Sequence, residues 1–201
     1  MSFSSCLADA DGDLILDASV FINLSASGAA AQVLHALPNR IFMVDVAASE
    51  VREDSRNGRS DGDTLQELVG PPVLEIIKLD EHDLARFERF VLALDDGEAA
   101  TIAAATGRVA IPILDERRAR KICTEEYPAI PLASTVDLLS HPAVEAAFGK
   151  DNLAEAVHAA LRNARMHVRA DQRDWIVDLI GSERAAGCTS IPRLRSAKIA
   201  D

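Results

Sequence analysis

The feature that most limits what this chain can fold into is a repeated alternation. Four short apolar runs, "LIL", "RIFMV", "VLEII" and "VAIPIL", are separated by stretches of helical composition. Strands alternating with helices read as an α/β domain with a mainly parallel sheet. "SVFINLSAS" reads as a helix that "GAAAQVLHAL" continues, broken by Pro38 and Asn39. "AASEVRED" and "TLQELVG" are helical and flank a loop at residues 55–63, "SRNGRSDGD". "EHDLARFERFVLAL" places Leu84, Phe87, Val91 and Leu94 at helical spacing. "DDGEAATIAAATG" reads as an Ala-rich helix capped by Asp95 or Asp96 and closed by Gly107. "ERRARKICTEE" is helical, "AIPLAS" reads as a short fifth strand, and "TVDLLSH" as a further helical turn. After Pro142 the pattern is helical only. Residues 1–140 therefore read as the α/β domain, and 141–201 as a helical extension packed on it.

Composition narrows the function classes. A chain of 201 residues with 48% hydrophobic residues suits one domain with a sizeable core. The net charge of -11 argues against a broad basic face for nonspecific nucleic-acid binding, though not against an acidic site with a few local arginines. Cys6, Cys123 and Cys188 are odd in number and far apart, which fits free thiols in a reducing compartment. The N-terminus lacks the basic start and apolar run of a secretory signal, and no run is long enough to span a bilayer. A cytoplasmic protein with no membrane association is expected.

In open parallel sheets, functional groups gather beyond the carboxyl ends of the strands. Asp17 follows "LIL" and Asp115 follows "VAIPIL". Glu50 lies just past the second strand, and Glu98 lies in the first turn of the helix leading to the fourth. Carboxylates converging there repel one another, and at least one should hold its proton more tightly than usual. A hard divalent cation such as Mg²⁺ relieves that repulsion, takes oxygen ligands, and supports phosphodiester hydrolysis without His or Cys.

"LILDASVFINL", "SEV", "DDGEAATIAAA" and "LDERRARKI", in that order, resemble the successive motifs of the PIN-domain family. The likeness covers roughly residues 13–140, and is closest to a branch with a Gly-Glu-Ala helix start. The resemblance implies a three-layer α/β/α sandwich and an endoribonuclease dependent on Mg²⁺ or Mn²⁺. It also implies a VapC-like toxin held by an antitoxin protein, and a homodimer. Carried over by motif, the catalytic acids are Asp17, Glu50, Glu98 and Asp115, with Asp17, Glu98 and Asp115 as metal ligands. Ser19 matches a small polar position two after the first acid. Where many members have Asp as the third acid, this chain has Glu98.

Each residue also has a plainer reading. Asp17 or Ser19 can cap the helix that follows, and Asp115 can cap "ERRAR". Glu98 can simply complement a helix N-terminus, with Asp96 and then Asp95 as rivals for the metal. Glu50 has Asp45, Glu53 and Asp54 for neighbours. Arg117, Arg118 and Arg120 can contact RNA phosphates, or form a solvated face. Asn23 can orient a water or a carboxylate, or satisfy the backbone. The five histidines show no ligand spacing and read as structural or surface residues. Trp175, with Ile176, Leu179 and Ile180, reads as core or interface. The alternative to the nuclease is a PIN-like module that has lost catalysis and acts through protein partners. A dehalogenase-like phosphatase needs a second Asp where Ser19 stands, and no receiver-type set of acids and Lys is present.

Overall fold

The computed structural model describes residues 3–53 and 61–192. In chain order the first half contains β1 (Leu14–Leu16), α1 (Ala18–Ala26), α2 (Ala30–Ala36), β2 (Ile41–Val44), α3 (Asp45–Glu53), α4 (Asp61–Leu68) and β3 (Glu75–Ile77). Then come α5 (Glu81–Phe90), α6 (Asp96–Arg108), β4 (Ile111–Ile113), α7 (Arg117–Glu126) and α8 (Thr135–Leu139). The chain continues through α9 (Pro142–Phe148), α10 (Lys150–Asn163), α11 (Arg173–Ile180) and α12 (Ser182–Ala186).

The four strands pair in the order β3-β2-β1-β4, all parallel. Ile15 of the central β1 lies opposite Phe42 on one side and Pro112 on the other. Successive side chains of a strand point to opposite faces. Leu14 and Leu16 enter a large cluster with residues of α1, α2 and α8 to α11, whereas Ile15 packs on Ala100, Ala104 and Ala105 of α6. Helices therefore cover both faces, and the architecture is a three-layer α/β/α sandwich. The alanines of α6 are fully buried, and their small side chains let this helix lie close to the sheet.

The helices after residue 140 share the cluster that holds Leu14 and Leu16, which runs from Leu7 to Ile191. A buried polar knot also ties them down. Asp137 accepts from Ser134 N and Oγ, from Arg169 Nη1 at 3.2 Å and from Gln172 Nε2 at 3.3 Å. Ser5 Oγ donates to the Asp137 carbonyl at 2.6 Å, so the N-terminal segment joins the same knot.

Several local expectations change. Gly28, at φ +73°, separates α1 from α2, so the predicted continuous helix is two. "AIPLAS" forms no fifth strand among the described residues, only a bridge between Ala133 and Ile113. Pro131 has no N–H to extend that pairing, and Ser134 already starts α8. Of the predicted loop at 55–63, residues 55–60 lie outside the described residues, and 61–63 open α4. In α5, Leu84 is exposed and Asp83 is buried instead, paired with Arg108 at 2.5 Å. α6 runs past Gly107 and is closed by Val109 in the left-handed region. Gly107 serves packing: a Cβ there would lie 3.4 Å from Asp83 Cγ, with a carboxylate oxygen closer still.

Candidate active site

The strand order sets the location. From β1 the chain passes to β2 and β3 on one side, then crosses back to β4 on the other. The crevice beyond the carboxyl ends of β1 and β4 is the topological switch point, where open α/β sheets bind ligands. Asp17 directly follows β1, and Asp115 stands two residues after β4. The Asp17 N–H donates to Ile113 O at 3.2 Å, tying the two strand ends together.

Asp17 is indeed a helix cap. Its Oδ2 accepts from Ser19 N at 3.1 Å and from Ser19 Oγ at 2.5 Å. Its other oxygen, Oδ1, is buried with no hydrogen-bond partner among the described residues. Burial pushes this carboxyl up to about 6 against the pull of the Ser19 bonds, and the Asp95 charge adds to the rise. A cap needs one oxygen; no hydrogen bond among the described residues offsets the desolvation of the second.

Glu50 reaches from α3 to the start of α6, where Oε1 accepts from Gly97 N at 2.7 Å. The carboxylate lies so flat on Gly97 that a Cβ there would stand 2.7 Å from Glu50 Cδ. Glu50 can keep this position only while residue 97 has no side chain. Burial raises Glu50 to about 7, against the Gly97 bond, with further increments from Asp95, Asp17 and Asp96. Glu98 is buried at 7% exposure and is raised to about 8, by burial first and then by Asp95, Asp17 and Glu116. Asp17, Glu50 and Glu98 thus share one electrostatic environment. Asp95 belongs to it too: it caps α6 through Oδ1 to Glu98 N at 3.0 Å, and its charge bears on all three acids. Sequence reasoning ranked Asp95 below Asp96, because a cap position alone does not show where a carboxylate's field reaches. Asp96 is exposed and acts only at longer range, on Glu50.

Asp115 is held differently. Oδ1 accepts from Thr135 N at 2.9 Å, and Oδ2 accepts from Asn23 Nδ2 at 2.7 Å and from Thr135 Oγ1. Burial raises its pKa, opposed by the Thr135 and Asn23 bonds and by the Arg120 charge. It does not cap α7; Glu116 does, through Arg118 N and Ala119 N. Asn23 is the helix-borne donor that fixes this carboxylate. Thr135 carried no signal in the sequence, since its role depends on α8 arriving at the end of β4.

The arginines divide. Arg120 turns inward and donates to the carbonyls of Leu114 and Ala133, at 2.8 and 2.6 Å. Arg117 lines a cleft of roughly 400 Å³ that Ser19, Asn23 and Asp115 also line, whereas Arg118 is exposed outside it.

All the acids offer oxygen, the donor type that Mg²⁺ and Mn²⁺ take. The Asp17 Oδ1 without a partner among the described residues, and the carboxyls raised by burial and by the Asp95 and Asp17 charges, fit a divalent cation as the missing counter-charge. As the side chains lie, no three His, Cys, Asp or Glu groups among the described residues form a ready cage. Glu50 and Asp115 instead spend oxygens on Gly97, Thr135 and Asn23.

Residues 13–182 match a family model described as a PIN domain. The chain belongs to the PIN-domain family. PIN domains are in general nucleases that use a divalent metal, and the matched span takes in every acid described above. No curated protein and no solved structure matches the chain significantly. Among the described residues, no helix of this PIN domain is long and apolar enough to cross a membrane.

Proposed function

We propose that this PIN domain is an endoribonuclease that hydrolyses RNA phosphodiester bonds with Mg²⁺ or Mn²⁺, as a VapC-like toxin of the branch with a Gly-Glu-Ala helix start. Asp17, Glu98 and Asp115 are the metal ligands and Glu50 the fourth catalytic acid. The observation that supports this reading is the buried Oδ1 of Asp17, without a partner among the described residues, beside Glu50 and Glu98, whose carboxyls burial and the Asp95 and Asp17 charges raise. When bound, the ion supplies positive charge to a phosphoryl oxygen and lowers the pKa of attacking water.

The rest is done by the chain. Ser19 fixes the rotamer of Asp17 and leaves Oδ1 free to ligate. Asn23 and Thr135 fix Asp115. Glu50, near neutrality at about 7 and anchored on Gly97, can take a proton from water. Glu98, at about 8, keeps its proton at neutral pH until a cation offsets the neighbouring charges. Asp95 and Asp96 add negative potential around the site.

Residues 1–140 then form the nuclease domain and 141–201 an extension, and the shared apolar cluster supports its packing on that domain. An antitoxin protein and a second copy of the chain are the partners this reading implies. Three free thiols support a cytoplasmic setting.

The test is to incubate the full chain with labelled RNA in Mg²⁺, Mn²⁺ or EDTA, beside Asp17→Asn. Metal-dependent cleavage lost in the variant is expected. The absence of a ready cage favours the second reading, a catalytically inactive PIN-like module acting through protein partners. A natively folded chain that cleaves no RNA in a broad panel would select it.

A further inference from the structure

In a chain of net charge -11, most described arginines are spent on carboxylates: Arg40 on Asp13, Arg108 on Asp83, Arg169 on Asp137 and Arg184 on Glu155. Arg117 and Arg165 have no such partner among the described residues, and both line the cleft that Ser19, Asn23 and Asp115 also line. His167 lines it as well. Of the acids lining the cleft, Glu116 caps α7 through Oε2, which accepts from Arg118 N and Ala119 N, and the oxygens of Asp115 go to Asn23 and Thr135. Two unneutralised guanidinium groups thus stand beside an acidic site without closing on it.

The backbone of the extension explains how Arg165 and His167 come to be there. Arg165 sits at φ +56°, just past the end of α10, and reverses the chain. Residues 165–168 then alternate: Met166 and Val168 are buried at 1% and 0%, while Arg165 and His167 are exposed. Both ends of the segment are fixed. Asn163 Nδ2 donates to Ala26 O at 3.2 Å, and Arg169 is held by Ser134 and Asp137. A non-glycine residue at positive φ is uncommon and is kept only where the surroundings enforce it. Here the turn presents two basic side chains on a rigid strap.

We propose that Arg117 of α7 and the strap residues Arg165 and His167 form a subsite that holds backbone phosphates of a single-stranded RNA beside the acidic centre. The C-terminal extension would then be part of the substrate-binding surface as well as a structural cover. Guanidinium forks match phosphate oxygens, and a second-site grip on the strand positions the scissile bond without entering the chemistry. This subsite rests on the ribonuclease reading above, and the experiment separates the two.

Binding of a fluorescent single-stranded RNA to the full chain is followed by anisotropy in EDTA over a salt series, and cleavage is followed separately with Mn²⁺. Arg165→Gly removes the side chain and suits the positive φ, Arg165→Lys keeps the charge, and Arg117→Ala removes the α7 partner. Arg165→Gly and Arg117→Ala are each expected to weaken binding about tenfold and to cut the salt slope by about 0.7 for the lost phosphate contact. The loss in cleavage should appear in KM more than in kcat, and Arg165→Lys should retain the slope. Inorganic phosphate at matched phosphate concentration should not displace the RNA; displacement would mark a site for free phosphate and overturn the strand subsite. Unchanged affinity, slope and KM in both variants, with wild-type cleavage intact, would overturn the subsite and leave the ribonuclease reading standing. Weakened binding in the variants with no wild-type cleavage would support the subsite and sink the ribonuclease reading. Wild type that neither binds nor cleaves RNA would overturn both.

Discussion

Asp17→Asn distinguishes an acid kept for a cation from an acid kept as a cap. Burial moves the Asp17 carboxyl from 3.8 to about 6, so above that pH the folded state carries a charge it solvates poorly. A shift of about two units corresponds to roughly 3 kcal/mol. The sign follows from proton binding: between about pH 4 and 6 the folded state binds the proton more tightly than the unfolded chain. Stability contributed by the protonated acid is therefore present at low pH and lost as pH rises through the folded value. An asparagine at 17 keeps an oxygen for Ser19 and removes the charge, but that oxygen accepts less strongly and an NH₂ stands where Oδ1 stood, together costing about 1–2 kcal/mol. In EDTA at pH 7.5 the variant should be more stable than wild type by about 1–2 kcal/mol, or roughly 3–6 °C in melting temperature. The gain should vanish near pH 4, and saturating Mn²⁺ should reverse it, because only wild type has the ligand. Urea denaturation at both pH values, with and without metal, reads all three effects. A variant less stable than wild type at pH 7.5 in EDTA, or a difference that does not change with pH, would refute the reasoning. Asp115→Asn should behave oppositely and lose about 1–3 kcal/mol in EDTA, because an NH₂ group must then face Thr135 or Asn23 donors.

Two other perturbations probe the frame around the acids. Gly97→Ala puts a Cβ against the Glu50 carboxylate, the free end of a flexible side chain that can swing away. Helix propensity favours the Ala by up to about 1 kcal/mol, so melting temperature should hold or rise while RNA cleavage falls at least about tenfold; unaltered cleavage would show that Glu50 has no part in it. Asp137→Ala leaves Arg169 and Gln172 without their buried acceptor, and should cost about 3–5 kcal/mol with loss of amide protection in α11. A cost below about 1 kcal/mol would mean that the knot does not hold the extension.

The strands were legible because Leu, Ile and Val recur in runs too short for helices, and their alternation with helices fixes a parallel sheet. That Asp17, Glu50 and Glu98 share one environment was legible from their positions past strand ends or at a helix start, together with the family motifs. What could not be read are relations between distant segments. Nothing local says that Gly97 is small because Glu50 lies on it, or that Thr135 and Asn23 converge on Asp115. "AIPLAS" has strand composition, yet Pro131 and the start of α8 leave it a single bridge. Leu84 has the spacing of a core residue, but Arg108 draws Asp83 inward and turns that face of α5. For Arg120 the sequence offers a phosphate contact or a solvated face, because it shows the charge and not its direction; the side chain donates to two carbonyls instead.

The central claim is that the carboxyls around Asp17 are a divalent-cation site. Mn²⁺ binding to the full chain, followed by the loss of free-ion EPR signal, tests it without RNA. Glu50 and Glu98 must shed protons held to about 7 and 8, so affinity should climb from pH 6 to pH 8 with proton release. Wild type should bind at pH 7.5, and Asp17→Asn and Glu98→Gln should each lose that binding. Binding that both variants retain unchanged, or no binding by a folded wild type at pH 8, would contradict the account.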